Sequence, residues 1–575
     1  MADAKSDIEY VDLNGVVSFN VLVDGEDALC QQYIVSINTT AEFNKISTLE
    51  LVFEGEDADD GPFALAADAY GIGSEIEVLV GYGEASETVF KGTIIKKAIT
   101  AKGAGLTITA KHVAEKMTTE KKARTFEDQT VKDVIQSVCG EYGIDVDVEK
   151  PGNQSEKKIQ GNYSDWDFIN IIAEAEGMEV FTTPDGIVVR SIAENDLTQR
   201  EQALDVVRDH NINDIKLEID GRHAHRVYKG NAFDYTSQEN AEGESSNANV
   251  SQSEENEDGD DVNVVAMGTL ENSQEMDAKQ NMMSVRNDLA FLTGELNIAG
   301  YAPLLPGDII RLCGVGQGFD GKVLISSVLH DISFGSWETH LKVGFDDACY
   351  VDRFNDIAPK PAMGTLPAMN GLLLAKVESL ADDPLGESRI YVRLLNSSEM
   401  KLWCRVATLD AGNKRGSFFM PEIDDEVIVG FVDGDPHNAV ILGMLHSSQA
   451  PMPLEITDEN HQKGFFSREN IQLLFDDEKK SLLMETPGGN KLLISDDEKG
   501  VSLEDQNGNT IVMNDQGITI ESKKNLTLKA SQDISIEGMN VNVKANAQLV
   551  AQGTSSTEVS ASGNTVIKGG LVQIN

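Results

Sequence analysis

The stretch GITIESKKNLTLKASQDISIEGMNVNVKANAQ, residues 517–548, carries its larger apolar residues in pairs two positions apart. The pairs are Ile518/Ile520, Leu526/Leu528, Ile534/Ile536 and Val541/Val543, with mostly small and polar residues between them. Each pair is one short strand with period-two alternation, and the pairs recur about every eight residues. A strand that short, with one apolar stripe, cannot fold alone.

The series begins earlier and runs on. Leu473/Phe475, Leu482/Met484, Leu492/Ile494, Val501/Leu503 and Ile511/Met513 precede it, with turn sequences such as PGGNK and QNGNT between several pairs. Leu549/Ala551, Val559, Ile567 and Val572/Ile574 follow, and Ala551, Thr557 and Thr565 make the late positions small. A short fixed period of strand and turn is the mark of a solenoid. A β-helix closed by one chain takes about 20 residues per coil, so a unit of about eight closes nothing by itself. The pattern predicts three chains about one axis, each giving one face of a narrow prism. The expected needle core is Ile518, Ile520, Leu526, Leu528, Ile534, Ile536, Val541 and Val543.

The rest of the 575 residues reads as several further domains. Residues 1–120 alternate and break at Gly, Asn and Asp, as a first β-barrel. Residues 121–200 form a helical α+β insertion with two capped helices. In TVKDVIQSVCGEYG, Thr130 is the N-cap, Asp133 the capping-box partner and Gly140 the stop. In SDWDFINIIAEAEG the same roles fall to Ser164, Asp167 and Gly177, with Trp166, Ile169, Ile172 and Ala173 as the buried face. A Pro184-Asp185-Gly186 turn follows. Residues 201–351 give a second barrel and a helix near residues 276–291 whose Met276, Met282 and Met283 are core filler. Within it, ENAEGESSNANVSQSEENEDGDD, residues 239–261, has too little apolar surface to offset ordering entropy and is expected to be a disordered acidic insert. Residues 352–370 are a linker, residues 371–450 a small barrel of the OB kind, residues 451–467 a second linker, and residues 468–575 the spike.

The formal charge of −49 excludes a nucleic-acid role, because polyphosphates need a basic groove. No apolar run approaches the roughly 18 residues of a membrane span. The opening MADAKSDIEYVDLNG has no basic head or apolar core, which predicts synthesis in the cytoplasm without a cleaved signal. The scattered Cys30, Cys139, Cys313, Cys349 and Cys404 read as free thiols.

Catalytic motifs are weak throughout. Gly316 to Lys322 has the G-x4-G-K spacing, but Val323 stands where a Mg²⁺-binding hydroxyl is needed and a strand follows, so a hairpin loop is expected. His223 and His225, one strand period apart, lack a third ligand, so no metal is assigned to them. No catalytic residue, cofactor or metal site is therefore predicted, and no enzyme activity.

Several segments resemble one family. GYGEASETVFKGTI and SDWDFINIIAEAEGMEVF are similar to the first hub barrel and its helix, and PLLPGDIIRL with FDGKVLISSVLHDISFGSWETHLKV to the second barrel. FFMPEIDDEVIVGFVDGDPHNAVILGML resembles an OB core whose usual P-x-x-G-D-E-V reads Pro421 to Val427, with Asp424 replacing the glycine. That replacement is tolerable if the turn keeps a negative φ. Together they resemble VgrG, the spike of type VI secretion and related phage-tail-like particles. The resemblance implies a mainly β fold: a hub of two β-barrels with inserted helices, an OB barrel and a trimeric intertwined β-helix. It also implies a membrane-puncturing homotrimer that joins an Hcp-like inner tube and baseplate proteins to a PAAR-repeat tip protein. Effectors are possible cargo under that reading, and contact with the target envelope is transient. The docking surface expected for the tip protein is Val566, Ile567, Lys568, Gly569, Gly570, Leu571, Val572, Gln573, Ile574 and Asn575. The rival is a tailspike-like polysaccharide-degrading β-helix, which would carry exposed aromatic rows; past Phe475 this chain has no aromatic residue.

Overall fold

In the computed structural model, residues 15–28, 31–54, 70–83, 86–100, 105–223, 227–234, 238–245, 262–269, 273–354, 356–357, 360–397 and 399–574 are described. The chain is mainly β and divides into two compact units: residues 1–371 with 431–439, and residues 372–430 with 440–575.

Alternating segments such as Thr48–Glu54 turn Leu49, Leu51 and Phe53 inward, each almost fully buried. With Val17–Val23, Ile34–Glu42, Glu75–Tyr82, Glu87–Thr100 and Gly105–Lys111 they enclose the first core, around Ile37, Val78, Phe90 and Ile108. Ile212–Ile219, Leu292–Ala299, Gly321–Ser333 and Ser336–Val343 enclose another, around Leu296, Ile310, Ile325 and Leu341. The two expected barrels share one continuous sheet. Residues 36–42 pair antiparallel with residues 327–333 and stitch the halves together.

Between the halves in sequence lies the insertion. Its helices Val131–Gly140 and Asp165–Glu174 begin as their caps require. Thr130 Oγ1 accepts the Asp133 N–H at 3.2 Å and Asp133 Oδ2 accepts the Thr130 N–H at 3.2 Å, a complete capping box. Ser164 Oγ accepts the Asp167 N–H at 3.1 Å. Trp166, Ile169 and Ala173 are buried, Ile172 partly so. Gly186 closes the turn between Met178–Thr183 and Gly186–Ser191.

The helix Ser273–Phe291 buries polar as well as apolar residues, among them Gln280, Asn287, Asp288 and Arg286. Arg286 donates to Glu174 at 2.6 Å, to Glu179 and to the Ala348 carbonyl at 2.6 Å, while its guanidinium lies 5.1 Å from the Phe345 ring.

Four expectations are corrected here. Residues 239–244, inside the expected disordered insert, form the strand Glu239–Glu244, laddered antiparallel to residues 229–234. Residues 246–261 of that insert lie outside the described residues. The second linker is shorter than expected, since Gln462–Phe466 is already a strand. The first linker keeps some regular structure, with the helix Tyr350–Arg353 reaching into it and a 3₁₀ turn at Pro361–Gly364. The fourth correction concerns Asp424.

In the second unit, Leu373–Ser379, Ile390–Leu394, Lys401–Val406, Ala439–Met444 and Glu426–Phe431 close into a five-stranded barrel around Val377, Val392, Cys404 and Val427. At its Pro421–Val427 corner the turn does not keep a negative φ: Asp424 sits at +71°. Aspartate enters this left-handed region more readily than most residues, yet at a cost glycine does not bear. Asp424→Gly is expected to stabilise the barrel by about 0.5–1 kcal/mol, seen as a raised denaturation midpoint of the full chain. An unchanged or lowered midpoint would count against this strain.

Candidate functional site

Among the described residues no group of three or more His, Cys, Asp or Glu is placed to hold a metal. His223 ends a 3₁₀ turn, not a strand, and its Nδ1 faces Asn287 Oδ1 at 3.1 Å; His225 lies outside the described residues. Residues 314–320 are the loop of a hairpin between Ile309–Cys313 and Gly321–Ser333, and Asp320 Oδ1 accepts the Val315 N–H at 2.7 Å across it. Cys139 and Cys404 are buried and free, Cys313 and Cys349 partly buried and free. Burial pushes the thiols of Cys139 and Cys404 up to about 12, so both stay protonated and inert.

The feature that asks for a partner is in the second unit. Seven strands, Gln462–Phe466, Gln472–Asp476, Ser481–Glu485, Lys491–Ser495, Gly500–Glu504, Thr510–Asn514 and Gly517–Glu521, form an antiparallel meander. Local chemistry makes each return. Asp476 Oδ1 accepts the Lys479 N–H at 3.0 Å, Ser495 Oγ accepts the Glu498 N–H at 3.1 Å, and Asp505 Oδ1 accepts the N–H groups of Asn507 and Asn509 at 2.9 Å each. The Asn509 side-chain amide, which donates to Asp505 Oδ2 at 2.8 Å, holds the Asp505 carboxyl down at about 2 together with these backbone donors. Gly489 and Gly508 supply positive φ where the backbone turns.

Register then decides what the sheet displays. Leu473 lies opposite Met484, Met484 opposite Leu492, Leu492 opposite Leu503, Leu503 opposite Ile511 and Ile511 opposite Ile520. A parallel column runs Phe475, Leu482, Ile494, Val501, Met513, Ile518. All of them point to one side of the pleat. Six strands spaced about 4.8 Å apart carry these columns and make this face roughly 24 Å long. Among the described residues nothing covers it: Met484, Ile494 and Leu503 keep 45, 44 and 49 % of their surface exposed. A contiguous apolar face of this size on one chain marks an interaction surface.

The observed rungs are shorter in extent than expected, and their direction, which the sequence leaves open, is antiparallel. Up to residue 521 they are hairpin-linked antiparallel strands, because turns of two to five residues can only reverse the chain. From residue 522 to 574 the chain makes no strand ladder with itself. Of the expected needle core, Ile518 and Ile520 stand on the last strand of the sheet, whereas Leu526, Leu528, Ile534, Ile536, Val541 and Val543 lie on this ladderless stretch, each more than half exposed. In the expected docking surface Val566, Ile567, Leu571 and Ile574 are also more than half exposed, and Lys568, Gly569, Gly570, Val572 and Gln573 are exposed with them; Asn575 lies outside the described residues. Sequence spacing located the strand pairs and their common face, but not the direction of the strands.

Comparison with known proteins follows the same divisions. A family model described as the Alg8 N-terminal domain matches residues 13–333. The type VI secretion system/phage-baseplate injector OB domain matches residues 373–446, and the phage baseplate V C-terminal trimerisation domain residues 481–550. Type VI secretion system spike protein VgrG1a of Pseudomonas aeruginosa is 30% identical over 97 residues, 16% of this chain and 15% of that protein. Spike protein VgrG3 of Vibrio cholerae is 29% identical over 133 residues, 20% of this chain and 13% of that protein. The matched stretches thus span well under two thirds of these relatives. Among solved structures, the 43 kDa tail protein of prophage MuSo2 from Shewanella oneidensis aligns with a TM-score of 0.45 at 13% identity, covering 58% of this chain and 99% of that one. A chain of the lidded Francisella PdpA-VgrG complex aligns with a TM-score of 0.38 at 12% identity, covering 88% and 80%. The chain belongs to the VgrG and phage-tail spike family of contractile injection systems, with an Alg8 N-terminal domain ahead of the injector OB and trimerisation domains.

Proposed function

We propose that three copies of this chain form the central spike of a contractile injection system, acting mechanically rather than as an enzyme. The observation that carries this is the uncovered apolar face of residues 473–520 together with the ladderless, exposed apolar pairs that follow. Three such faces turned toward one axis bury each other, and residues 522–574 gain between chains the backbone hydrogen bonds they do not make within one. The match of residues 481–550 to a trimerisation domain supports the same count.

In this reading the hub sits on an Hcp-like inner tube among baseplate proteins, and the needle passes the thrust of contraction to a target envelope. The chain is made in the cytoplasm and leaves it with the particle, with effectors as cargo. Residues 566–575 dock a PAAR-repeat tip protein, a reading supported by the 85 % exposure of the apolar Leu571 and Ile574.

The full chain is expected to run as a denaturant-resistant trimer that collapses on boiling to a 62.4 kDa species. Ile534→Asp with Ile536→Asp places carboxylates at the axis and is expected to abolish the resistant trimer while leaving hub unfolding unchanged. A wild-type chain that light scattering finds monomeric would overturn the proposal.

A further inference from the structure

Where the first barrel, the insertion and the second barrel meet, a cavity of about 40 Å³ is lined by Thr39, His112 and His330, with Thr182 and Leu304 among its other walls. A water needs about 10–15 Å³ of such space, so there is room for a few small bodies and no more. Thr39, His112 and His330 are 3, 3 and 5 % exposed, and what they offer is offered to the cavity. Hydrogen-bond partners fix where the protons sit. His112 Nδ1 accepts the Ala114 N–H at 3.2 Å, which leaves the ring proton on Nε2. Thr339 Oγ1 accepts the Tyr301 N–H at 2.9 Å, so its own hydroxyl proton goes to His330 Nδ1, 3.1 Å away. His330 then also carries its ring proton on Nε2. Among the described residues neither Nε2 nor the Thr39 hydroxyl has a further partner. The hydroxyl protons of Thr182 and Ser47 are already committed, to Ser47 Oγ at 2.7 Å and to the Thr182 carbonyl at 3.0 Å.

We propose that this cavity binds one small monovalent anion of chloride size, held by His112 Nε2, His330 Nε2 and Thr39 Oγ1. Three free donors face one enclosure, and no Asp or Glu is among the residues that line it. The nearby cations have partners elsewhere. Lys91, also on the wall, has its ammonium 3.3 Å from Glu75, and His340, on the strand beside His330, lies 3.8 Å from Glu338. An imidazolium in the cavity therefore has no counter-charge, and burial holds both rings neutral down to about pH 4. A chloride between them supplies the missing charge and lets them take up protons at higher pH. Anion and protons thus enter together. At neutral pH the rings are uncharged, and an anion that leaves water for three neutral donors loses more hydration than it regains. The hub accordingly keeps in acid chloride part of the stability that acid alone removes.

Thermal denaturation of the full chain tests this, in sodium chloride against sodium gluconate, whose anion is too large for the cavity. At about pH 4.5 and about 0.2 M salt, the hub midpoint is expected to stand roughly 3 °C or more higher in chloride. At about pH 7.5 the two salts are expected to give the same midpoint. His112→Gln with His330→Gln, which keeps polar side chains but cannot take up protons, is expected to show no difference between the salts at either pH. A wild type without the acid difference, or a variant that retains it, overturns the site. Should the variant fail to fold, bromide decides: anomalous scattering from full-chain crystals soaked in bromide at about pH 4.5 is expected to place one ion within hydrogen-bond reach of both Nε2 atoms. A cavity without that peak overturns the proposal.

Discussion

Arg286→Ala is expected to destabilise the hub by roughly 3–5 kcal/mol, the cost of leaving buried charge without its partner. The side chain is 1 % exposed, and its removal strands Glu179, which is fully buried, and Glu174, which is nearly so. Both carboxylates have other duties. Glu179 Oε2 accepts from Asn44 Nδ2 at 2.7 Å, and Glu174 accepts the Tyr350 N–H at 2.8 and 3.0 Å. The cluster therefore joins the first half of the sheet, the insertion, the helix Ser273–Phe291 and residues 345–350. Burial pushes the Glu174 carboxyl up against the pull of Arg286, so neutralising both acids is the informative control. Arg286→Met with Glu174→Gln and Glu179→Gln is expected to recover much of the loss, since an uncharged set carries no desolvation penalty for ions. Urea titration of the full chain followed by hub tryptophan fluorescence reads both variants. An Arg286→Ala midpoint within error of the wild type would sink the argument.

The second large effect is acid sensitivity. His112 and His330 are 3 % and 5 % exposed and border one small cavity with Thr39, Ser47, Lys91 and Thr182. His112 Nδ1 accepts the Ala114 N–H at 3.2 Å, and His330 Nδ1 lies 3.1 Å from Thr339 Oγ1. Burial lowers both imidazoles to about 4, with the neighbouring His340 adding to the shift at His330. The folded hub thus holds both rings neutral where the unfolded chain, at the ordinary value of 6.5, takes up protons. Stability is complete above about pH 6.5 and is lost as pH falls toward 4, by about 3 kcal/mol for each histidine. Glu174 and Asp308, whose carboxyls burial raises, pull the other way. The denaturation midpoint is expected to fall between pH 7 and pH 4.5, with a shallower fall in His330→Gln. Equal slopes in the variant and the wild type would remove His330 from the account.

What could be read in advance was local. The caps at Thr130 and Ser164 announce their helices because donor and acceptor lie three residues apart. The strand pairs of the needle show because a period of two is a property of neighbours. Strand direction did not show, since alternation is the same in a parallel rung and an antiparallel hairpin. Glu239–Glu244 was hidden by its acidity: a strand at the margin of a three-stranded sheet needs backbone partners more than buried side chains. Arg286 gave no signal at all, because its acids stand 112 and 107 positions away, 286 less 174 and 286 less 179.

The seam between residues 36–42 and 327–333 carries a consequence for biosynthesis. Ser36 and its partner Ser333 are 297 positions apart, 333 less 36. At about 5–20 residues per second, a nascent chain waits roughly 15–60 s before the later strand is made. Throughout that interval the amino-terminal β-sheet has an unmated border, open to any passing strand of another nascent polypeptide. Ribosomes that follow closely on one message would thus hold several such borders near each other, and a holdase that shields them would raise the yield of correctly joined hubs.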